Sequence, residues 1–306
     1  MGPSASAGTP LRRVLVATDF SRHSLWAVER TALLPLAQGA RVMICHVVHG
    51  APTAKSARKA RGFHEARLRQ VAQRFLAVAH GRGLDKVRVE TAIAEGTPFV
   101  ELIGQARRMR AQLVVVGRHG RRAVRDLLLG TTAKRVMRKG RVSVLIVNQR
   151  PKEAYRRPLV GAALDPSDRQ VILGALALLE ESVGDIAVLH ACHVPFEGWI
   201  FMGASGQDRA SYRRTALVES AKQMKLLVRG FGASGVRLTP LVRLGDPRLV
   251  IDQAAGRRRA DLVAVGSHGR SGVARVLLGE VAERVATASA RDVLVVSIPG
   301  ITLRLP

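Results

Sequence analysis

Two stretches of this chain carry one pattern. Leu113 to Val136 reads LVVVGRHGRRAVRDLLLGTTAKRV, and Leu262 to Val285 reads LVAVGSHGRSGVARVLLGEVAERV. In each, a short β-branched run that suits a buried strand ends on a glycine, and two more glycines follow at equal spacing. Gly117, Gly120 and Gly130 recur as Gly266, Gly269 and Gly279, displaced by 149 residues. A period of this length exceeds any solenoid unit and fits a domain copied once. The chain must therefore build two similar domains, each with a strand, a glycine-lined turn and a helix start.

The physical chemistry of this unit favours an anion. Glycines let backbone approach a ligand with no Cβ in the way. The free N–H groups at a helix start, together with the positive end of the helix dipole, attract negative charge. In the first copy Arg118, Arg121, Arg122 and Arg125 would add cations to a polyphosphate cradle. One difference between the copies stands out. Gly130 is followed by Thr131, whereas Gly279 is followed by Glu280, a carboxylate where a phosphate would sit.

A chain of 306 residues can bury two cores, and 47% hydrophobic with 24% charged residues is a globular composition. No apolar run approaches the ~18 residues that cross a bilayer, so no membrane span is expected. The opening MGPSASAGTPLRR lacks a hydrophobic segment and reads as a flexible leader over residues 1–10 rather than a secretory signal. Two cysteines, Cys45 and Cys192, one in each half, argue against a disulfide framework and for a cytoplasmic protein. The net charge of +26 raises nucleic acid or an anionic surface as partner, but 4% aromatic residues leave few stacking platforms for single strands. Arginine as the default surface residue is the plainer reading and is preferred, with nucleic acid kept as the alternative.

Periodicity places the other elements. In the first half, strands are expected at Val14 to Thr18, Arg41 to Val48, Val87 to Ile93, Val114 to Val116 and Val142 to Val147. Helices are expected at Ser24 to Leu36, Lys55 to His80, Pro98 to about Arg110, and Thr131 to Lys139, with Thr97 as N-cap before Pro98. Gln149 to Pro158 is polar and proline-bounded, a linker between domains at 11–148 and 159–300. The second half restarts the order, with strands at Leu159 to Leu164, Ile186 to Ala191, Val236 to Leu241, Leu262 to Val265 and Val293 to Val296. Its helices run Val171 to Leu179 and Ala210 to Phe231, and Asp246-Pro247 opens a third. Such alternation implies an α/β fold, parallel sheets covered on both faces through right-handed crossovers.

The glycine pattern, Gly-x2-Gly-x9-Gly-[Ser/Thr] after the fourth strand with an Asp ending the first, resembles the universal stress protein family. The resemblance spans about Leu11 to Val147 and Leu159 to Ile298, as in a tandem two-domain member. It implies two doubly wound five-stranded domains of Rossmann-like form with strand order 3-2-1-4-5. Ligands of such sheets sit at the switch point between strands 1 and 4. Carried over, Asp19, Val47, Gly117, Gly120, Gly130 and Thr131 would form an ATP or adenine-nucleotide site in the first domain, with backbone at the end of strand 2 meeting the base. In the second, Asp165, Gly266, Gly269 and Gly279 match and Glu280 departs, so that site is expected to be degenerate unless Mg²⁺ bridges the charges. The strand-2 match stays open: His46 pairs either with His190 or, through Cys45-His46-Val47, with Cys192-His193-Val194.

Plainer roles stand beside these. The glycines could only shape turns, and Asp19 could cap the helix near Ser21. His119 and His268 share a loop position with no second ligand at metal spacing and read as loop residues. Cys45 and Cys192 read as strand core. Lys55, Arg58, Lys59, Arg61, Arg67 and Arg69 read as a solvated helix face. The apolar Phe196 to Gly203 segment could pack on the other domain, cover a pocket or make a dimer contact, and domain packing is preferred; the two domains are expected to pair within the chain, with a homodimer as a further option. No nucleophile–base pair, metal-ligand cluster or Walker sequence is present, so no enzyme is expected. Weak ATP hydrolysis is one alternative; a basic protein that binds nucleic acid or anionic lipid without nucleotide is another.

Overall fold

The computed structural model describes residues 9–48, 54–119, 129–192, 206–231, 235–267 and 278–298. Strands form where β-branched and leucine runs sit, and helices where apolar residues recur every three or four positions. The first half contains β1 (Leu11–Ala17), α1 (Arg22–Ala32), β2 (Leu36–Val48), α2 (Ala54–His80), β3 (Arg88–Glu95), α3 (Pro98–Arg108), β4 (Leu113–Gly117), α4 (Thr131–Lys139) and β5 (Ser143–Val147). The second contains β6 (Pro158–Ala162), α5 (Asp168–Leu176), β7 (Asp185–Cys192), α6 (Gly206–Arg229), β8 (Arg237–Leu244), α7 (Pro247–Arg257), β9 (Leu262–Gly266), α8 (Glu280–Ala288) and β10 (Asp292–Val296).

All ten strands join one sheet in the order β3-β2-β1-β4-β5-β10-β9-β6-β7-β8. Each half thus has the order 3-2-1-4-5, with parallel neighbours throughout. The halves meet where β5 and β10 pair antiparallel, Leu145 against Leu294. The second set of strands therefore runs opposite to the first, and the two switch points lie at opposite edges of the sheet. Alternation along β1 sends Val14 and Val16 into one apolar layer, with α1, α2, α5 and α6, and Leu15 into the other, with α3, α4, α7 and α8. Both layers run continuously across the two halves.

A buried polar knot ties this seam. The Arg30 guanidinium lies 3.2 Å from Asp292 and stacks 4.0 Å over the Tyr155 ring. The Tyr155 hydroxyl donates to Asp292 at 2.6 Å, and the Asn148 N–H donates to its other oxygen at 2.8 Å. Burial pushes the Asp292 carboxyl up despite the opposing pull of Arg30, and pushes the Tyr155 hydroxyl up further. Residues 149–158 are thus no loose linker: Tyr155 is 1% exposed, and β6 already starts at Pro158.

Some boundaries differ from the sequence reading. The first helix stops at Ala32, because Pro35 cannot continue it, and Leu36 opens β2, pairing with Leu11. The fifth helix runs from Asp168 to Leu176 rather than from Val171 to Leu179. Thr97 holds the N-cap position of α3 without a side-chain hydrogen bond, whereas Asp246 caps α7 through the Arg248 N–H at 2.8 Å. Among the described residues no helix is long and apolar enough to cross a membrane. The Phe196 to Gly203 segment lies outside the described residues.

Candidate functional site

The switch point of the first half opens where β1 turns away. The last β1–β2 pair is Ala17 with Cys45, and the Thr18 N–H donates to the Cys45 carbonyl at 2.9 Å. Backbone groups alternate sides along a strand, so Val47 presents its own to the same side, past the end of β1. On the far flank the Arg118 N–H turns to the Val147 carbonyl of β5 at 3.1 Å, which leaves the Gly117 backbone facing the gap. Gly117 has to be glycine: a Cβ there would lie 2.5 Å from the His23 carbonyl carbon and 2.7 Å from the Ser24 nitrogen. The topology brings Asp19, Val47 and Gly117 to one place.

Among the described residues Asp19 bonds to no N–H of α1 itself. Its Oδ1 accepts the Ser21 N–H at 3.0 Å, and Ser21 is the N-cap of α1. Phe20 between them takes a left-handed φ of 62° and drops its ring 4.5 Å from that of His46. His46 holds the Thr18 carbonyl through Nδ1 at 2.8 Å. His64 from α2 lies 4.6 Å from His46, and Arg67 stacks 4.5 Å over Phe20, so Arg67 is not part of a solvated face. His119 is buried, with the His23 ring 5.1 Å away; these two histidines are far apart in sequence, and spacing alone could not pair them. Among the described residues no group of three or more ligands could hold a metal.

The amino end of α4 is held in place by the Gly130 N–H, which donates to the Arg118 carbonyl at 2.8 Å. Gly130 supplies no side-chain cap, the first turn of α4 carries no acid, and Thr131 is exposed. The side chain of Arg118 does not serve this site. It donates to the Ser289 and Thr287 carbonyls at 2.7 and 2.8 Å, closing the carboxyl end of α8 in the other half. Gly120, Arg121, Arg122, Arg125, Gly269 and His268 lie outside the described residues.

The second switch point reuses the scaffold with other side chains. His190 holds the Ala162 carbonyl through Nδ1 at 2.9 Å, as His46 holds Thr18, which settles the strand-2 match in favour of His46 with His190. Register then corrects the match at strand 1. Val14 faces Leu113 and Pro158 faces Leu262, so Ala163, not Asp165, stands where Asp19 does. Asp165 lies two residues further on, taking the Ser167 N–H at 2.7 Å. Asp168 replaces Ser24: it is 2% exposed and accepts the N–H groups of Ala163 at 2.8 Å and Asp165 at 3.2 Å. Gly279 donates to Ser267 at 2.7 Å, as Gly130 does to Arg118. Glu280 is 80% exposed at its side chain and pairs with Arg248, so it turns away from the gap.

The family profile described as the universal stress protein family matches residues 10–148 and 154–297. Universal stress protein A homolog 2 of Coxiella burnetii is 32% identical over 48% of this chain and 97% of its own length. A universal stress protein of Mycobacterium tuberculosis is 30% identical over 61% of this chain and 59% of its own. Among solved structures, a universal stress protein from Archaeoglobus fulgidus superposes with a TM-score of 0.67 at 18% identity, covering 93% of this chain and 96% of that one. With two copies of the family profile and a shared fold along nearly its whole length, the chain belongs to the universal stress protein family as a tandem member.

Proposed function

We propose that the first half binds ATP or another adenine nucleotide at the gap beside β1, and that the second half does not. The contrast between the two gaps carries this reading. Both have a helix start without a side-chain cap, but the first sets Asp19 beside the backbone of Val47 and Gly117, whereas in the second Ala163 stands in place of Asp19 and Asp168 takes the local N–H groups. Val47 would meet the base, Asp19 the sugar, and the α4 amides and the Thr131 hydroxyl the phosphates, with any Mg²⁺ arriving on the nucleotide.

Arg118 gives such a site its readout. Its carbonyl holds Gly130, and its guanidinium holds α8 of the other half. A ligand at the loop would act on both, so the proposed action is a change of conformation or partner binding during stress rather than turnover. A reducing cytoplasm is the proposed setting, because Cys45 and Cys192 are free and buried, and burial pushes the Cys45 thiol up to about 12. Thermal unfolding with and without ATP tests the reading. At one hundred times Kd the ligand should stabilise the wild type by about 2.7 kcal/mol and leave Asp19→Ala unprotected. An unprotected wild type, or equal protection of both, would refute it.

A further inference from the structure

The positive charge of this chain is not shared between its halves. Residues 1–148 carry 27 Lys and Arg against 8 Asp and Glu, while residues 159–306 carry 18 against 14. Part of the excess lies on one edge of the first half, where the amino ends of β1 to β5 and the carboxyl ends of α3 and α4 meet. Arg12, Arg88, Arg107, Arg108, Arg110 and Arg141 are exposed there. Among the described residues none of them has a carboxylate in ion-pair range.

The matching edge of the second half shows that the fold does not require this excess. Register puts Asp185 where the first half has Arg41, and Asp185 neutralises Arg237 at 3.8 Å and Arg258 at 3.2 Å. Asp261 accepts the N–H groups of Arg156 and Arg157 at 2.8 and 3.0 Å. Its counterpart Gln112 accepts those of Arg12 and Arg13 at 2.7 and 3.0 Å. The two residues make the same pair of bonds, but only Asp261 brings a negative charge.

We propose that this edge docks on the phosphate backbone of duplex DNA. Strands lie about 4.8 Å apart, so the row of cations across five strands spans about 20 Å, a length that meets several successive phosphates. Guanidinium groups suit phosphate oxygens, and the scarcity of aromatic residues disfavours single strands. A bilayer is the weaker fit, because among the described residues no exposed large apolar side chain lies at the amino ends of these strands or in the last turn of α3 or α4. The edge is opposite the proposed nucleotide site, and the proposal is independent of that reading.

Fluorescence anisotropy of the full chain with a short labelled duplex of mixed sequence tests the proposal. Six phosphate contacts predict a log–log salt slope near −5, on the order of a thousand-fold loss of affinity between about 50 and 200 mM salt. Arg108→Gln, Arg110→Gln and Arg141→Gln together should make that slope shallower by about three. Gln112→Glu should weaken binding severalfold while the fold persists, since a carboxylate already makes these bonds at Asp261. The control Arg229→Gln, Arg257→Gln and Arg284→Gln removes equal charge from the second half and should leave the slope unchanged. Equal losses from the two triple variants would reduce the effect to net charge and overturn the proposal. So would absence of binding at low salt, or binding to phosphatidylserine vesicles that DNA does not compete away.

Discussion

The two switch points share a backbone and differ in what fills it. Both have a strand that turns off early, a histidine pinned to its last carbonyl, and a glycine whose N–H ties a helix start to the fourth strand. In the first, serine hydroxyls supply the local bonds: Ser24 Oγ meets Thr18 Oγ1 at 3.1 Å and accepts the Asp19 N–H at 3.2 Å. In the second, the buried Asp168 does that work with a charge. The Ser24 hydroxyl adds no charge at this position, whereas the Asp168 carboxylate adds one that repels an anion in a poorly screened pocket. The asymmetry therefore rests on Asp168 and Ala163 more than on Glu280, which faces solvent and Arg248.

The largest effect should come from the seam on which both halves depend. Asp292→Ala would strand the Arg30 charge in the interior and should cost about 3–5 kcal/mol in urea unfolding, whereas Ser143→Ala at the matching place in the first half should cost far less. Next comes Gly117→Ala, whose Cβ collides with α1 backbone; a loss of about 1–3 kcal/mol, together with loss of nucleotide binding, is expected by melting and titration.

Asp168→Asn should show a pH signature. Burial raises the Asp168 carboxyl above its ordinary value, against the pull of the backbone N–H donors. The folded protein thus keeps this proton to higher pH than the unfolded chain does. The stability it confers is complete below about pH 4 and is lost as pH rises through the raised pKa. The variant should flatten that slope in melting curves, and Ser24→Ala should leave it intact. The smallest effect is expected of Glu280→Thr. It restores the first-half residue at the helix start, yet ATP stoichiometry should stay at one, with little change in stability. A second equivalent there would return the asymmetry to Glu280.

Much of the fold was legible because the pattern occurs twice. The glycine spacing, the alternating apolar runs and the order of elements all survive in the structure, and the family resemblance supplied the strand order. The sequence misled where three-dimensional register decides. Asp165 looks like the partner of Asp19 because each follows an apolar run, but pairing with β9 shifts it two residues along. Arg118 looks like a phosphate ligand because it follows Gly117, yet its side chain reaches the end of a helix in the other half. The knot of Arg30, Tyr155 and Asp292 joins three distant segments and leaves no local spacing to read. The pairing of β5 with β10 is equally silent, since two apolar strands do not announce which edges meet.

The most direct test of the account is calorimetric titration of ATP into the wild type, Gly130→Asp and Gly279→Asp. The account predicts one equivalent for the wild type, none for Gly130→Asp and one for Gly279→Asp. Two equivalents for the wild type, or a single equivalent lost only in Gly279→Asp, would contradict it.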